Sequence, residues 1–212
     1  MPIFFAHGFE GSATGAKPTY LRERLGLDVV APQMNADGLG FREQVQVVLD
    51  TLLQHTGITT LIGSSMGGLA CAVAAEQMHQ QGDERPLQLV LLAPAVGVHQ
   101  TFARRLGPEA MALWKEQGTL PYPHAGLNKT VPLPWRLYTE CEAASAVTVH
   151  HPCVVIHGKH DDVIAPTDVL QLALRSPGVM RMHLVDDDHR LLKSLAQMSE
   201  ALRELAGISS QN

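Results

Sequence analysis

The stretch Thr59–Glu76, TTLIGSSMGGLACAVAAE, places an apolar run, a cluster of small residues around Ser65 and an alanine-rich run end to end. The first run is too short for a helix and predicts a buried strand; the last predicts a helix. Between them Gly63, Gly67 and Gly68 leave the chain free to turn sharply. Two readings of Ser65 are open at this point. It is one polar residue of an ordinary strand-to-helix turn, or it is a hydroxyl held on a strained bend at the positive end of the helix that follows.

Working outward, short apolar runs bounded by turn residues recur at Ile3–Ala6, Val29–Ala31, Leu87–Ala93, Val154–Ile156 and Met180–Val185. Several are continuous rather than alternating, as strands covered on both faces are. Helical patterns separate most of them. Val45, Val48, Leu49, Leu52 and Leu53 recur at helical spacing within Phe41–Thr56, and Leu191, Leu192, Leu195, Met198, Leu202 and Leu205 do so before Gly207. Pro166-Thr167-Asp168 predicts a helix start for a segment through Arg175. Strands alternating with helices predict a doubly wound α/β domain spanning 1–212, with a mostly parallel sheet of about six strands and helices on both faces.

The segment 98–149 breaks this alternation. Its first part predicts one or two amphipathic helices, with Pro108 suited to a start and Gly118 to a stop. The rest is dense in proline and shows no clear strand. A connection this long inside a compact domain is expected to be functional, and a small helical lid over a ligand site is the favoured role. Its Trp114 and Trp135 are expected to bind substrate as apolar walls; a hydrophobic core for the inserted lobe is the alternative.

Composition narrows the function classes. A net charge of −5 offers no basic patch, so no nucleic-acid partner is expected. No apolar run is long enough to span a bilayer, and MPIFFAHGFEGS has neither the basic region nor the apolar core of a signal peptide. Cys71, Cys141 and Cys153 are odd in number and widely spaced, which predicts reduced thiols and a cytoplasmic location. Zinc needs about four convergent ligands, whereas His150, His151, His157, His160 and Asp186–His189 are split between separate loops. No metal or other cofactor is expected.

Chemistry enters with the pattern Gly63-x-Ser65-x-Gly67 between a strand and a helix. A serine hydroxyl needs a base to take its proton and a carboxylate to orient that base. Where this pattern sits on a strand–turn–helix, the partners follow in the order acid, then histidine. HGKHDDVIAP after the fifth strand supplies Asp161 and Asp162, and DDDHRLLK after the sixth supplies His189. An oxyanion would be bound by the N–H of Met66, after the serine, and by that of Phe9, in the loop after the first strand. His7 precedes the serine in the chain and is expected to hydrogen-bond that loop. Asp186 and Asp187 are expected to serve turns and the last helix start.

With HGFEGS, GSSMGG, HGKHDDVIAP and DDDHRL in this order, the sequence resembles the α/β-hydrolase superfamily over nearly its whole length. In style it is similar to the small bacterial serine esterases of the YqiA type, whose opening loop is followed by a segment like GAKPTYLRERL. The resemblance implies a cofactor-free serine carboxylesterase acting on a small acyl ester through Ser65, Asp161 and His189. It favours Asp161 over Asp162, because the family-like spacing Gly-x-x-Asp-x-Val counts from Gly158 to Asp161. It also implies that two leading strands of the full fold are missing. DDDH departs from the Gly-His of many relatives. Thioesterase or acyltransferase activity would use the same residues, and a binding protein with this fold and no turnover is the third alternative.

Overall fold

A computed structural model describes residues 1–209. Its strands are β1 (Ile3–Ala6), β2 (Val29–Val30), β3 (Thr60–Ser64), β4 (Gln88–Leu92), β5 (Thr119–His124), β6 (Lys129–Pro134), β7 (Cys153–Gly158) and β8 (Val179–Val185). The helices are α1 (Ala16–Thr19), which runs on into a π-helical turn, then α2 (Phe41–Gln54), α3 (Met66–Gln80), α4 (Val98–Gln117), α5 (Trp135–Ala144), α6 (Pro166–Arg175) and α7 (Leu195–Ser209). The six strands expected from the sequence form one parallel sheet in the order β2-β1-β3-β4-β7-β8.

The continuous apolar strands follow from a core on each face. Successive side chains of a strand point to opposite faces. Phe4, Leu61, Leu89, Leu91 and Val155 join one buried cluster with residues of α2 and α3. Their neighbours Phe5, Ile62, Val90, Leu92, Val154 and Ile156 join another with Leu21, Met198, Ala201 and Leu205. Each such side chain removed from water contributes about 1.5–3 kcal/mol. Cys71, Cys141 and Cys153 are unlinked, and burial pushes all three thiols up.

Two elements differ from the sequence expectation. The segment 98–149 contains strands, because β5 and β6 form an antiparallel hairpin. Pro121, Pro123, Pro132 and Pro134 fall in the pairs Pro121↔Pro132, Pro123↔Thr130 and Thr119↔Pro134, all of one parity. Pairs of one parity have N–H groups directed away from the partner strand, so the missing donors cost no ladder bond. α7 begins at Leu195, four residues after the expected Leu191. Leu191 has a φ of +50°, and the amides of Lys193 and Ser194 donate to the Asp187 carboxylate at 2.8 and 2.9 Å. That turn directs Leu191 into the core before the helix starts.

The inserted segment is anchored rather than loose. α4 bends at Gly107, where φ is +77°, and Pro108 opens its second half. Trp114 is fully buried, donates its indole N–H to the Leu133 carbonyl at 2.8 Å, and meets Phe102 and Trp135 edge-on. From α5, the Glu140 carboxylate accepts the Phe41 and Arg42 amides at the start of α2. Trp114→Ala should therefore cost about 3–5 kcal/mol, as truncation of a buried aromatic does. Urea denaturation measures it, and a loss under about 1 kcal/mol would contradict this packing.

Candidate active site

β1 has β2 on one side and β3 on the other, so the chain reverses its direction of sheet building there. Open parallel sheets bind ligands at such a switch point, beyond the carboxyl ends of the strands. The loops after β1 and β3 meet at this edge, and those after β7 and β8 complete it.

Ser65 lies between β3 and α3 with φ +55° and ψ −120°, a conformation that costs of order 1–3 kcal/mol. Hydrogen bonds fix it. Its N–H donates to Leu92 O at 2.8 Å, and its carbonyl accepts from Ala95 at 3.0 Å and Leu69 at 3.1 Å. A Cβ on Gly63 would lie 2.5 Å from the Gly67 carbonyl oxygen, and one on Gly67 would lie 2.5 Å from the carbonyl oxygens of Ala6 and His7. Ser65 is partly exposed, whereas its neighbour Ser64 is buried.

The side chains of Ser65, His189 and Asp161 form a continuous chain. His189 Nε2 is 2.8 Å from Ser65 Oγ, and its Nδ1 is 2.7 Å from Asp161 Oδ2. With a carboxylate at Nδ1, the imidazole donates there and leaves Nε2 to accept the serine proton. Asp161 Oδ1 accepts the amides of Val163 and Ile164 at 2.9 and 2.8 Å. Burial works to raise the Asp161 carboxyl, but His189 and these amides outweigh it and hold it below the usual range. Asp162 points to solvent and pairs with Arg105 at 3.3 Å.

Behind Asp161 stands His157, fully buried, donating from Nε2 to Ile164 O at 3.2 Å and lying 3.5 Å from Asp161 Oδ2. Among the described residues its Nδ1 has no partner, which suits a neutral ring, and burial lowers its pKa. His7 is also held neutral, chiefly by burial. It donates from Nδ1 to Gly8 O at 2.8 Å and accepts the Met34 amide at Nε2, at 3.0 Å. This anchors the loop after β1 as the sequence suggested.

Phe9 and Met66 both line the cavity that contains Ser65 and His189. Met66 opens α3, so its N–H has no acceptor within the helix. Gly8 brings the Phe9 loop close, since a Cβ there would lie 3.1 Å from Ser65 Cβ. On the other side, a Cβ on Gly158 would collide with the Asp187 and Asp188 carbonyl oxygens, so this glycine lets the histidine loop settle on β7. Asp187 is buried in that loop; hydrogen bonds from Asp188, Lys193 and Ser194 outweigh its burial and keep its carboxyl low.

The cavity measures about 800 Å³. Trp114 and Trp135 do not line it, which corrects the sequence expectation. Trp114 instead centres an aromatic cluster, with Trp135 packed on it and stacked on Tyr138 at 4.7 Å. The aromatic lining is made by Phe5, Phe9, Phe102 and Tyr122. The prolines of the hairpin obscured Tyr122, which meets Phe9 edge-on at 5.9 Å and donates its hydroxyl to Glu10 at 2.8 Å. Of the other histidines, His124 packs its ring on Phe9 at 4.7 Å behind the cavity wall. His160 pairs with Asp186 on the surface and His150 with Glu76 near the opposite sheet edge. Among the described residues, no three His, Cys, Asp or Glu side chains are grouped to hold a metal, and no helix is long and apolar enough to cross a membrane.

The sheet order and the bend at Ser65 define an α/β-hydrolase fold, and solved structures with that fold are similar over almost their whole length. Mouse alpha/beta hydrolase domain-containing protein 10 shares 20% identity with a TM-score of 0.72, over 96% of this chain and 90% of that one. Est1E from Butyrivibrio proteoclasticus, bound to ferulic acid, shares 15% identity with a TM-score of 0.75, over 100% and 90%. A monoacylglycerol lipase from Paleococcus ferrophilus shares 16% identity with a TM-score of 0.72, over 96% and 93%. Within this fold the chain belongs to the uncharacterised protein family UPF0227, whose model matches residues 2–204. No curated protein matches the chain in sequence.

The buried histidines give the fold a pH dependence of definite sign. Folding lowers the pKa of His7 and His157 below 6.5, so just below that pH the unfolded chain binds more protons than the folded one. Their contribution to stability is complete above about 6.5 and is lost as the pH falls below it. Urea midpoints measured from pH 7 to pH 5 should decline once the pH passes below about 6.5, with a shallower decline in His157→Gln. Midpoints that rise on acidification would contradict this.

Proposed function

We propose that the chain is a serine hydrolase of carboxylic esters with short to medium acyl chains. The single observation that carries this reading is the unbroken relay from Ser65 through His189 to Asp161, at 2.8 and 2.7 Å. Ser65 Oγ attacks the acyl carbonyl as its proton passes to His189 Nε2. Asp161 orients the ring and stabilises the imidazolium that forms. The oxyanion of the tetrahedral intermediate is bound by the Phe9 and Met66 amides, aided by the positive end of α3.

Collapse of that intermediate breaks the ester C–O bond, and His189 returns its proton to the departing alkoxide. Water then attacks the acyl-serine, giving its proton to His189, and the second collapse frees the acid and restores the Ser65 hydroxyl. The wall from Val98, Phe102 and Leu106 of α4 supports an apolar acyl site, and Tyr122 of the hairpin narrows it. A cavity of about 800 Å³ suits a compact ester better than an extended lipid. The segment 98–149 acts here as a lid that supplies these walls.

Hydrolysis of nitrophenyl esters of graded chain length tests the proposal. Ser65→Ala should lose about 10⁴-fold or more in kcat while keeping its fold. Asp161→Asn should lose about 10⁴-fold, as in a comparable triad, and Asp162→Asn should stay within a few-fold of wild type. Activity retained in Ser65→Ala, or the opposite ranking of the two aspartates, would refute the assignment. A kcat/KM that keeps rising to long chains would refute the acyl-site reading.

A further inference from the structure

Two cations on the wall of the Ser65 cavity make no direct ion pair among the described residues. Lys17 of α1 and Arg190, next to His189, both line it. Among the described residues neither side chain makes a hydrogen bond or an ion pair. The third cation of the wall, Arg105, is engaged by Asp162, and the wall's carboxylate, Glu10, accepts the Tyr122 hydroxyl. Two acids lie near Lys17, but their oxygens serve the backbone. Asp187 accepts the amides of Asp188, Lys193 and Ser194, and Asp188 accepts that of Arg190.

Lys17 is only partly exposed, and a half-buried ammonium that makes no hydrogen bond or ion pair among the described residues loses solvation that Asp187 and Asp188 repay only in part. Burial, reinforced by the Arg190 charge and opposed by Asp187 and Asp188, lowers its pKa to about 8. The whole chain carries a net charge of −5, so two lining cations with no direct ion pair stand out against its overall charge. Charge concentrated in a cleft of low polarity acts strongly on whatever enters it.

We propose that Lys17 and Arg190 form an anion subsite, and that the preferred substrates are esters carrying a negatively charged group beside the scissile bond. This rests on the serine-hydrolase reading above and adds the substrate class. An anion bound there adds counter-charge and gains a charge-assisted hydrogen bond from Lys17, an interaction strong enough for about tenfold selectivity. The apolar α4 wall then receives the uncharged part of the substrate. The charge could sit on the acyl chain or on the leaving group, and the two are separable.

The test compares kcat/KM within matched pairs at low salt. 4-Nitrophenyl hydrogen adipate against 4-nitrophenyl hexanoate places a carboxylate on the acyl end. The hexanoyl ester of 4-hydroxy-3-nitrobenzoate against that of its methyl ester places one on the leaving group. An anionic-to-neutral ratio of about ten or more in either pair, reduced several-fold by Lys17→Met and by Arg190→Gln and kept in Lys17→Arg, is the expected result. A ratio at or below one in both pairs overturns the proposal, as does a ratio that survives Lys17→Met. Lys17→Met lowering both esters of a pair equally also overturns it, because that marks a structural role. If wild type turns over no ester at all, the hydrolase reading has failed and this proposal with it.

Discussion

The backbone at Ser65 is held where an L-residue rarely sits, and the geometry of the site depends on that bend. A φ of +55° swings the hydroxyl away from the sheet and toward the cavity. The conformation persists because three hydrogen bonds, to Leu92, Ala95 and Leu69, determine it from both sides. It is also sterically conditional. The turns on either side pass so close that any side chain at Gly63 or Gly67 would drive a carbon into a backbone oxygen. Relaxing the bend would strain these three hydrogen bonds and move the hydroxyl relative to His189.

The same economy of space organises the other loops of this edge. Gly8 admits the loop after β1 against Ser65, and Gly158 admits the histidine loop against the end of β7. Buried polar groups then lock each loop from behind. His7 ties the first loop to Met34, Asp161 binds the amides of its own turn, and Asp187 gathers those of Asp188, Lys193 and Ser194. The β5–β6 hairpin closes on the first loop through Tyr122 and through Gly126, which packs against the Glu10 carbonyl. Strand ends, rather than the inserted segment, set the positions of Ser65, Asp161 and His189; the insertion supplies part of the cavity wall.

Much of this was legible in the chain itself. Buried parallel strands leave continuous apolar runs, and the small residues at 63, 67 and 68 mark a turn that admits no side chains. Asp161, rather than Asp162, faces His189, as the spacing from Gly158 implied. The hairpin was hidden because proline usually argues against a strand, whereas here Pro121, Pro123, Pro132 and Pro134 all occupy outward positions. The alternation of Leu120, Tyr122 and His124 with those prolines was the signal that could have found it. Trp114 and Trp135 illustrate the opposite failure. Their size fits both a pocket wall and a core, and only the fold shows that Trp114 donates to Leu133 inside the lobe. That Lys17 and Arg190 line the cavity with no direct ion pair among the described residues was equally invisible, since pairing is a property of three-dimensional placement.

The central claim is that Ser65 is the activated nucleophile, and covalent labelling reads that state directly. A fluorophosphonate should add once to the wild-type protein, with peptide mapping placing the adduct on Ser65 rather than Ser64, and His189→Ala should abolish the addition. No adduct, an adduct mapped to another residue, or labelling indifferent to His189 would contradict the account.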